Sequence, residues 1–433
     1  MNRIEAEDFV YKSYLKAEKH QDYNAKDSEK RRPDLTKEII RDKARTPCVL
    51  VTGSKGKGSV ANMVSQILQS KLKVGLMTSP HIVDFSERFK INGKNITDEE
   101  FAKYMTVIQP EIDSIDLKIP ENICISPMGI QADLGLAYFN DLHTDFNVFE
   151  CGKGAKYDDV NNVIHQYAVI NSIFLEHTRE LGDTLEAIAE DKSYVINGEQ
   201  KCIYVAEQTP GVIDVIKRRA NEFSTPLKIY GEDFSAINIR YASSGMIFDV
   251  VIGGETYTNI IVPLMGEHQA KNCALAMALC KDVLGDFDIE AVKEKLAQID
   301  WPGRMEVISQ NPFVMLDACI NSASCVNVKD VLKYMAIDDV TVIIGIPNDK
   351  DYAGVVRAMR SVSANIILTK SQNPHYIFTN EQCEKMASEG IRTVWTDSID
   401  EAIDKAKEMA LPIVILGTTS VVSEVKNYQF KNL

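Results

Sequence analysis

A glycine-rich segment between a predicted strand and a predicted helix constrains the fold of this chain more than any other feature. The segment reads Val49-Leu50-Val51-Thr52-Gly53-Ser54-Lys55-Gly56-Lys57-Gly58-Ser59-Val60. Glycines let backbone N–H groups turn inward around phosphate oxygens, and the N-terminus of the next helix adds positive potential. In such a loop Lys57 reaches the outer phosphates and the Ser59 hydroxyl binds Mg²⁺. The spacing differs from the common G-x-x-x-x-G-K-[ST] pattern, so an ordinary glycine-rich turn between a strand and a helix is the alternative. The lysine, the serine and the position of the segment between a strand and a helix together favour nucleotide binding.

Apolar strands alternate with amphipathic helices from Pro47 onward. The predicted strands of the first half are Cys48–Val51, Val74–Thr78, Phe146–Phe149 and Ala168–Ile173. Predicted helices cover Ser59–Lys71 and Met128–Leu142. This alternation predicts an α/β fold with a central, mostly parallel sheet covered by helices on both faces.

Residues 225–263 depart from that alternation. Short strands are predicted there at Leu227–Tyr230, Ser235–Tyr241, Gly245–Ile252 and Thr256–Val262, with a hairpin turn at Gly253-Gly254, and they indicate a small antiparallel sheet. A helix from Gln269 to Leu284 and the breaker Trp301-Pro302-Gly303 follow. A second α/β alternation then has strands at Val314–Leu316, Val340–Ile344, Asn365–Leu368, Thr393–Trp395 and Ile413–Leu416. We expect a helical lead-in at 1–45, a phosphate-loop domain at 46–300 and a smaller Rossmann-like domain at 304–433.

Composition limits the possible partners and the cellular location. The 433 residues carry a formal charge of −14, and such an acidic surface repels nucleic-acid phosphates. No apolar run has the ~20 residues that a membrane helix needs, and the charged N-terminus has no signal-peptide core. The nine cysteines form no C-x-x-C pair, and several lie in apolar surroundings: Cys48, Cys151, Cys202, Cys273 and Cys280. We expect a cytoplasmic protein with reduced thiols, a monomer or weak oligomer that binds small molecules rather than nucleic acid or membrane.

Six further motifs follow the loop along the chain. They are Ser79-Pro80-His81, Glu87-Arg88-Phe89-Lys90-Ile91-Asn92-Gly93, Glu150-Cys151-Gly152-Lys153-Gly154, Leu175-Glu176-His177-Thr178, Gly266-Glu267-His268-Gln269 and Pro302-Gly303-Arg304-Met305-Glu306. With the Gly53–Ser59 loop they resemble, in the same order, the motifs of folylpolyglutamate and dihydrofolate synthases, members of the Mur ligase superfamily. The resemblance covers residues 47–420. It implies an ATP- and Mg²⁺-dependent ligase that activates a carboxylate as an acyl phosphate and joins it to an amino acid such as glutamate.

The resemblance also implies which residues bind metal. Ser59 and Ser79 would give hydroxyls to one Mg²⁺, Glu150 would bind or bridge it, and His177 would ligate a second Mg²⁺. Lys192, on a helix predicted over Thr184–Ile196, would act as a further ligand if carbamylated. Without the resemblance, three of these residues have equal structural alternatives. Glu150 would cap a helix, His177 would be a core or surface histidine, and Lys192 would be a solvated lysine among acidic residues.

Three residues are implied at the nucleotide. By resemblance Asn272 lies at the adenine, Arg304 reaches ATP from across the interdomain hinge, and Asp317 accepts a ribose hydroxyl. The planar fork of arginine suits phosphate, although an interdomain ion pair is the alternative for Arg304. The expected catalytic set is Lys57, His177, Lys192 and Arg304.

The match fails at several positions. The family's Asp-x-Ala-His-Asn-Pro here reads Asp317-Ala318-Cys319-Ile320-Asn321-Ser322, so an apolar Ile320 stands in place of an imidazole. Lys156 replaces an arginine and Lys55 replaces the loop asparagine. These changes suggest a ligase of the same mechanism with another carboxylate or amine substrate. Lys156, Lys350 and His375 are candidates to bind an acidic substrate, since the Asn373-Pro374-His375 stretch is similar to an Asn-Pro-Arg carboxylate site of peptide-adding Mur ligases. Solvent exposure is the alternative for each.

Three other functions stay open at this stage. One is an authentic folylpolyglutamate or dihydrofolate synthase that tolerates the substitutions. Another, prompted by Ile320, is a nucleotide-binding regulatory protein that has lost catalysis. A simple kinase or ATPase is the third, and it would yield a stable phosphorylated product without amide formation.

Overall fold

A computed structural model describes residues 1–20, 31–242, 245–285 and 287–428. Residues 21–30 of the expected lead-in and residues 429–433 of the expected second domain lie outside the described residues. The described chain forms two α/β units, each with its own central sheet, together with a small antiparallel sheet. The predicted fold class is therefore confirmed.

The sheet of the first unit has eight strands. They are β1 (Cys48–Thr52), β2 (Val74–Met77), β3 (Phe89–Ile91), β4 (Lys94–Asn95), β5 (Phe146–Glu150), β6 (Tyr167–Ile170), β7 (Cys202–Val205) and β8 (Leu227–Ile229). Their spatial order is β4-β3-β2-β5-β1-β6-β7-β8; β3 pairs antiparallel with both β2 and β4, and all other neighbouring strands pair in parallel. Every residue of β1, β2 and β5 is buried, as expected for strands covered on both faces.

The strand predicted at Leu227–Tyr230 belongs to this sheet and not to the small antiparallel one. It forms β8, which pairs in parallel with β7. The antiparallel sheet consists of β9 (Phe234–Ala242), β10 (Gly245–Ile252) and β11 (Glu255–Val262). Gly253 and Gly254 form its predicted hairpin turn, and both have a left-handed φ, of 58° and 84°.

Helices cover both faces of the first sheet. They are α1 (Arg3–Glu18), α2 (Lys37–Lys43), α3 (Lys57–Leu68), α4 (Asp98–Asp116), α5 (Pro127–Asp141), α6 (Thr178–Leu181), α7 (Leu185–Lys192), α8 (Pro210–Glu222), α9 (Glu267–Leu284) and α10 (Ile289–Ala297). One apolar core packs α1, α4, α5 and α8 against the sheet, and the other packs α3, α9 and the antiparallel sheet against the opposite face. Among the described helices, none is long and apolar enough to cross a lipid bilayer.

The first helix is part of the core and not a solvated lead-in. A capping box between Asn2 and Glu5 starts α1. Phe9 and Val10 are buried in the same apolar cluster as α4 and α5. Arg3 forms ion pairs with Asp84 and with α4. The N-terminal residues therefore fold as a layer of the first unit.

The second unit begins after α10. Its strands are β12 (Glu306–Gln310), β13 (Phe313–Asp317), β14 (Thr341–Gly345), β15 (Asn365–Thr369), β16 (Val394–Thr396) and β17 (Ile413–Gly417). Its helices are α11 (Cys325–Tyr334), α12 (Tyr352–Met359), α13 (Glu381–Ser388), α14 (Ile399–Lys407) and α15 (Thr419–Asn427). The sheet order is β12-β13-β17-β14-β15-β16, and only β12 is antiparallel to its neighbour. Apolar cores lie on both faces.

The parallel register brings three strand ends of the first sheet together. Val51 of β1 pairs with Glu150 of β5 on one side and with Val169 of β6 on the other. The segments after β1, β5 and β6 therefore leave the same edge of the sheet, where open α/β folds bind their ligands.

Candidate active site

The glycine-rich loop joins the end of β1 to the start of α3. Ser54 donates its backbone N–H to the Ser172 carbonyl (3.0 Å) and its hydroxyl to the Phe174 carbonyl (3.2 Å), both on the segment after β6. Gly56 enters α3 with a left-handed φ of 72°. These contacts fix the loop while the first turn of α3 faces a cavity.

No side chain fits at Gly56. A Cβ atom there would lie 2.6 Å from Asn171 Nδ2 and 3.1 Å from Asn272 Nδ2. The two asparagines are linked, because Asn171 Nδ2 donates to Asn272 Oδ1 at 3.2 Å. Helix α9 thus brings Asn272 against the phosphate loop, near the place where the family resemblance implies that Asn272 contacts the nucleotide.

Two lysines approach the carbonyl oxygen of Gly53. Lys57 Nζ donates to it at 3.1 Å and Lys192 Nζ at 2.9 Å. Lys192 also forms an ion pair with Glu176 Oε1 at 3.1 Å, and its side chain is only 1% exposed. Burial lowers the pKa of Lys192, and Lys57 lowers it further, whereas Glu176 raises it.

The sequence-based interpretation of Lys192 as a solvated lysine is therefore wrong. Its helix α7 ends at Lys192 and gives way to a 3₁₀ turn at Ser193–Val195, short of the predicted Ile196. Lys192 lies one turn after the buried Ile188, on the face of α7 that packs inward, and it ties the phosphate loop to the loop that carries His177.

Ser59, Ser79 and Glu150 line one cavity with the phosphate loop. Glu150 Oε2 accepts the Ser79 backbone N–H at 2.9 Å. A Cβ atom at Gly58 would lie 3.3 Å from the same oxygen, so the first turn of α3 closely approaches this carboxylate. Burial raises the pKa of Glu150, and the charge of Lys57 opposes that shift.

This donor set fits Mg²⁺. Hydroxyl and carboxylate oxygens are the hard ligands that Mg²⁺ prefers, and it commonly takes one or two carboxylates and completes its shell with phosphate and water. Within the part of the chain that the structure describes, no three His, Cys, Asp or Glu side chains cluster as a metal site. A site here therefore depends on the serine hydroxyls and on the nucleotide itself.

His177 precedes the first residue of α6 and does not line the cavity of Ser59, Ser79 and Glu150. It has a left-handed φ of 47°, and its side chain is exposed. Desolvation lowers the pKa of His177 to about 4, and the charges of Lys153 and Lys350 lower it further, whereas Glu176 raises it. Lys192, implied as a further metal ligand if carbamylated, is engaged as an ammonium group with Gly53 and Glu176. The second metal site stays a prediction.

The nucleotide cavity lies between the two units and has a volume of about 290 Å³. The second unit contributes Arg304 and Asp317, and Asp317 Oδ2 accepts the Met305 backbone N–H at 2.9 Å. Burial raises the pKa of Asp317 and lowers that of Lys55, which faces it from the phosphate loop. The buried Nδ1 atom of His268 has no hydrogen-bond partner among the described residues, so a ligand group in this cavity can satisfy it.

A second cavity of about 670 Å³ adjoins the first, and Pro80 lines both. The first unit supplies Tyr11, His81 and Arg88, and the second supplies His375. Of these residues, only His375 was predicted from the sequence as a substrate residue. His81 and Arg88 stood inside quoted motifs without a role, and no sequence signal pointed to Tyr11.

Lys156 and Lys350 line neither interdomain cavity. Lys156 Nζ lies 4.9 Å from the ring centre of Tyr194 and 5.3 Å from that of Tyr157, and Lys350 pairs with Asp349 at 3.1 Å. Their proposed contact with an acidic substrate has no support from these positions.

Ile320 does not line the nucleotide cavity. It packs, partly buried, against the apolar core of the second unit. Its neighbour Asn321 caps the 3₁₀ turn Ser322–Ser324 that leads into α11. The apolar side chain of Ile320 therefore contributes to the core of the second unit and not to the lining of this cavity.

Comparison with known families gives two matches that together span most of the chain. Residues 51–280 match the Mur ligase middle domain. Residues 303–419 match the Mur ligase glutamate ligase domain.

Relatives with curated names are synthases of folate derivatives. The dihydrofolate synthase/folylpolyglutamate synthase of Bacillus subtilis is 28% identical over 386 residues, covering 87% of this chain and 89% of the relative. The folylpolyglutamate synthase of Lacticaseibacillus casei is 25% identical, covering 87% and 88%. A probable bifunctional folylpolyglutamate synthase/dihydropteroate synthase of Haloferax volcanii is 28% identical, but this chain spans only 45% of its length.

Solved structures resemble the whole fold. Mycobacterium tuberculosis folylpolyglutamate synthase complexed with ADP superposes with a TM-score of 0.84 and 26% identity, covering 96% of this chain and 98% of that one. The same enzyme complexed with ADP and AMPPCP gives a TM-score of 0.83 at 27% identity, covering 90% and 94%.

Proposed function

This chain belongs to the Mur ligase family, and we propose that it is an ATP-dependent enzyme that joins an amino acid to a carboxylic acid through an acyl phosphate. The observation that carries this proposal is the cavity between the two units. Phosphate-loop residues and Glu150 line one wall, and Arg304 and Asp317 line the other. A nucleotide held there contacts both units, so its binding couples to their closure around the reacting groups.

The proposed role of the phosphate loop is to bind and orient ATP. Gly53–Ser59 would surround the phosphates, and Lys57 and Arg304 would neutralise them from opposite walls. Asn272 and Asp317 would bind the base and ribose. Ser59, Ser79 and Glu150 would hold Mg²⁺, which stabilises negative charge on the transferring phosphoryl group.

The second cavity gives the acid substrate a place next to the phosphates. A carboxylate oxygen of the acid attacks the terminal phosphorus of ATP, and ADP leaves. The uncharged amine of the amino acid then attacks the acyl carbon, inorganic phosphate leaves, and the amine proton passes to solvent. Closure of the two units keeps water away from the acyl phosphate, which would otherwise hydrolyse.

The names of the relatives favour a folate derivative as the acid and glutamate as the amine. His375, the one predicted substrate residue that lines the second cavity, would contact a carboxylate of either substrate. Carbamylation of Lys192 and a second Mg²⁺ at His177 stay predictions. A cytoplasmic location is consistent with the free thiols of all nine cysteines.

An ADP-release assay tests this function. Purified protein with Mg²⁺ and ATP is screened against dihydropteroate, tetrahydrofolate and other acids, each with and without glutamate. We expect ADP and phosphate in equal amounts, with an amide product found by mass spectrometry, only when acid and amino acid are both present. A stable phosphorylated product without an amide would indicate a kinase, and ATP binding without release under every condition would indicate a regulatory protein.

A further inference from the structure

The second interdomain cavity combines aromatic walls with a buried cation. Tyr11 and His81 line it from the first unit, Tyr376 lines it from the second, and Ile82 and Val83 add apolar surface. The cation is Arg88, which is 8% exposed. This combination suits a flat ring system that carries hydrogen-bond acceptors.

Arg88 is held in place by neutral groups. Its Nε–H donates to His81 Nδ1 at 2.9 Å, and one terminal N–H donates to Gln131 Oε1 at 2.8 Å. Its guanidinium also lies 4.9 Å from the ring centre of Phe85. Among the described residues, no carboxylate lies within salt-bridge distance of it. A buried guanidinium without a counter-ion is stabilised by an anion or a strong acceptor from a ligand.

Tyr11 reaches this cavity from α1, the helix that bears no family motif. Neighbouring Phe9 and Val10 are buried against the core, so the helix cannot turn to withdraw Tyr11 from the cavity. Burial lowers the pKa of the Arg88 guanidinium, and the nearby Tyr11 phenol is the strongest of the groups that oppose this shift. Tyr11 and Arg88 also line the same cavity.

We propose that Tyr11 is a specificity-determining residue for the acid substrate: its ring forms one wall for a planar aromatic acid, and its hydroxyl binds an acceptor of that acid beside Arg88. This inference rests on the proposed ligase function, since it assigns the second cavity to the acid. It also gives the first twenty residues a role in substrate choice that is separate from the phosphate chemistry.

Binding measurements on Tyr11→Phe and Tyr11→Ala test the proposal. The dissociation constant of tetrahydrofolate is measured by equilibrium dialysis with Mg²⁺ and AMPPCP present, and that of ADP is measured in parallel. Tyr14 lies three residues further along the same helix and is 39% exposed, so Tyr14→Phe and Tyr14→Ala are matched controls.

We expect Tyr11→Ala to weaken tetrahydrofolate binding by at least about tenfold, because it removes both the ring contact and the hydrogen bond of the hydroxyl. Tyr11→Phe should weaken it about fivefold through loss of one hydrogen bond. ADP binding should stay within about twofold in all four variants, and the Tyr14 variants should bind both ligands like the wild type.

Unchanged tetrahydrofolate affinity in Tyr11→Phe and Tyr11→Ala would overturn the proposal, and Tyr11→Phe alone decides it if Tyr11→Ala does not fold. Wild-type protein that binds ADP but neither tetrahydrofolate nor pteroate would show that the acid class is wrong. Failure to bind ADP would instead contradict the proposed function, so the two failures are distinguishable.

Discussion

Lys57 and Lys192 donate hydrogen bonds to the same acceptor, the carbonyl oxygen of Gly53. Two ammonium groups on one oxygen repel each other, and the lowered pKa of Lys192 reflects this in part. Lys57 lies at the start of α3 on the cavity side, whereas Lys192 is buried and paired with Glu176. Phosphate oxygens can therefore draw Lys57 away from Gly53 while Lys192 keeps the loop in position.

Lys57→Ala should abolish turnover. It removes the cation expected on the transferring phosphoryl group, and the loss in kcat should be on the order of 10² or more. ADP release under saturating substrates measures it. Lys94→Ala, at an exposed position of β4, is the control and should keep full activity. Full activity of Lys57→Ala would refute the site assignment.

Lys192→Met should destabilise the protein by about 2–3 kcal/mol, because Glu176 loses its only ion-pair partner among the described residues. Urea unfolding at neutral pH gives the free energy of unfolding. The double variant Lys192→Met/Glu176→Gln no longer leaves a carboxylate unpaired and should regain most of that loss. A double variant no more stable than Lys192→Met would count against the ion pair as the cause.

Glu150→Gln should raise the Mg²⁺ concentration needed for half-maximal ADP release at least about tenfold, because the amide is a poorer ligand for a hard cation. The fold should persist, since the amide oxygen can still accept the Ser79 N–H. Calorimetric titration of ADP with and without Mg²⁺ supplies a readout independent of turnover. An unchanged Mg²⁺ requirement would place the metal elsewhere.

Stability should depend on Asp158 above pH 5. Burial raises the pKa of Asp158 to about 6 from 3.8 when exposed. The folded state therefore binds this proton more tightly than the unfolded state does. The stabilisation that Asp158 provides is complete below pH 3.8 and is lost as the pH rises through about 6. Between pH 5 and 7.5 the free energy of unfolding should fall by about 1 kcal/mol because of Asp158.

Asp158→Asn tests this dependence. Asp158 accepts the backbone N–H groups of Gly152 and Val160, and an asparagine oxygen can replace one of these acceptors. Urea midpoints at the two pH values should differ less in the variant than in the wild type. An equal pH dependence in both proteins would assign it to other buried acids such as Asp133, whose pKa is also raised to about 6.

Most of the fold was predictable because its signals are local. Strands such as β1 and β5 are short apolar runs, and the Gly253-Gly254 turn needs the positive φ that glycine allows. Strand β8 was misassigned because a three-residue strand carries no sign of its partner. Its parallel pairing with β7 depends on the path of α8 between them.

Site residues that belong to sequence motifs were predictable, whereas residues that only tertiary packing brings to the site were not. The loop, Glu150 and Arg304 lie around one cavity, as the ordered motifs implied. Burial of Lys192 depends on which face of α7 packs inward, and the place of Tyr11 depends on how α1 packs against α4 and α5. Such tertiary relationships leave no periodic pattern in the sequence.

Helix α1 is anchored by its own apolar face to the first unit, yet it reaches the cavity shared by both units through Tyr11. Tyr11 itself packs partly against the apolar core, so it belongs both to the scaffold and to the cavity wall. A chimera that keeps the buried residues Ala6, Phe9, Val10, Ser13 and Ala17 and takes its remaining helix residues from a relative should change substrate preference while the phosphate loop stays intact. The segment is a natural starting point for redesigning which acids such a ligase accepts.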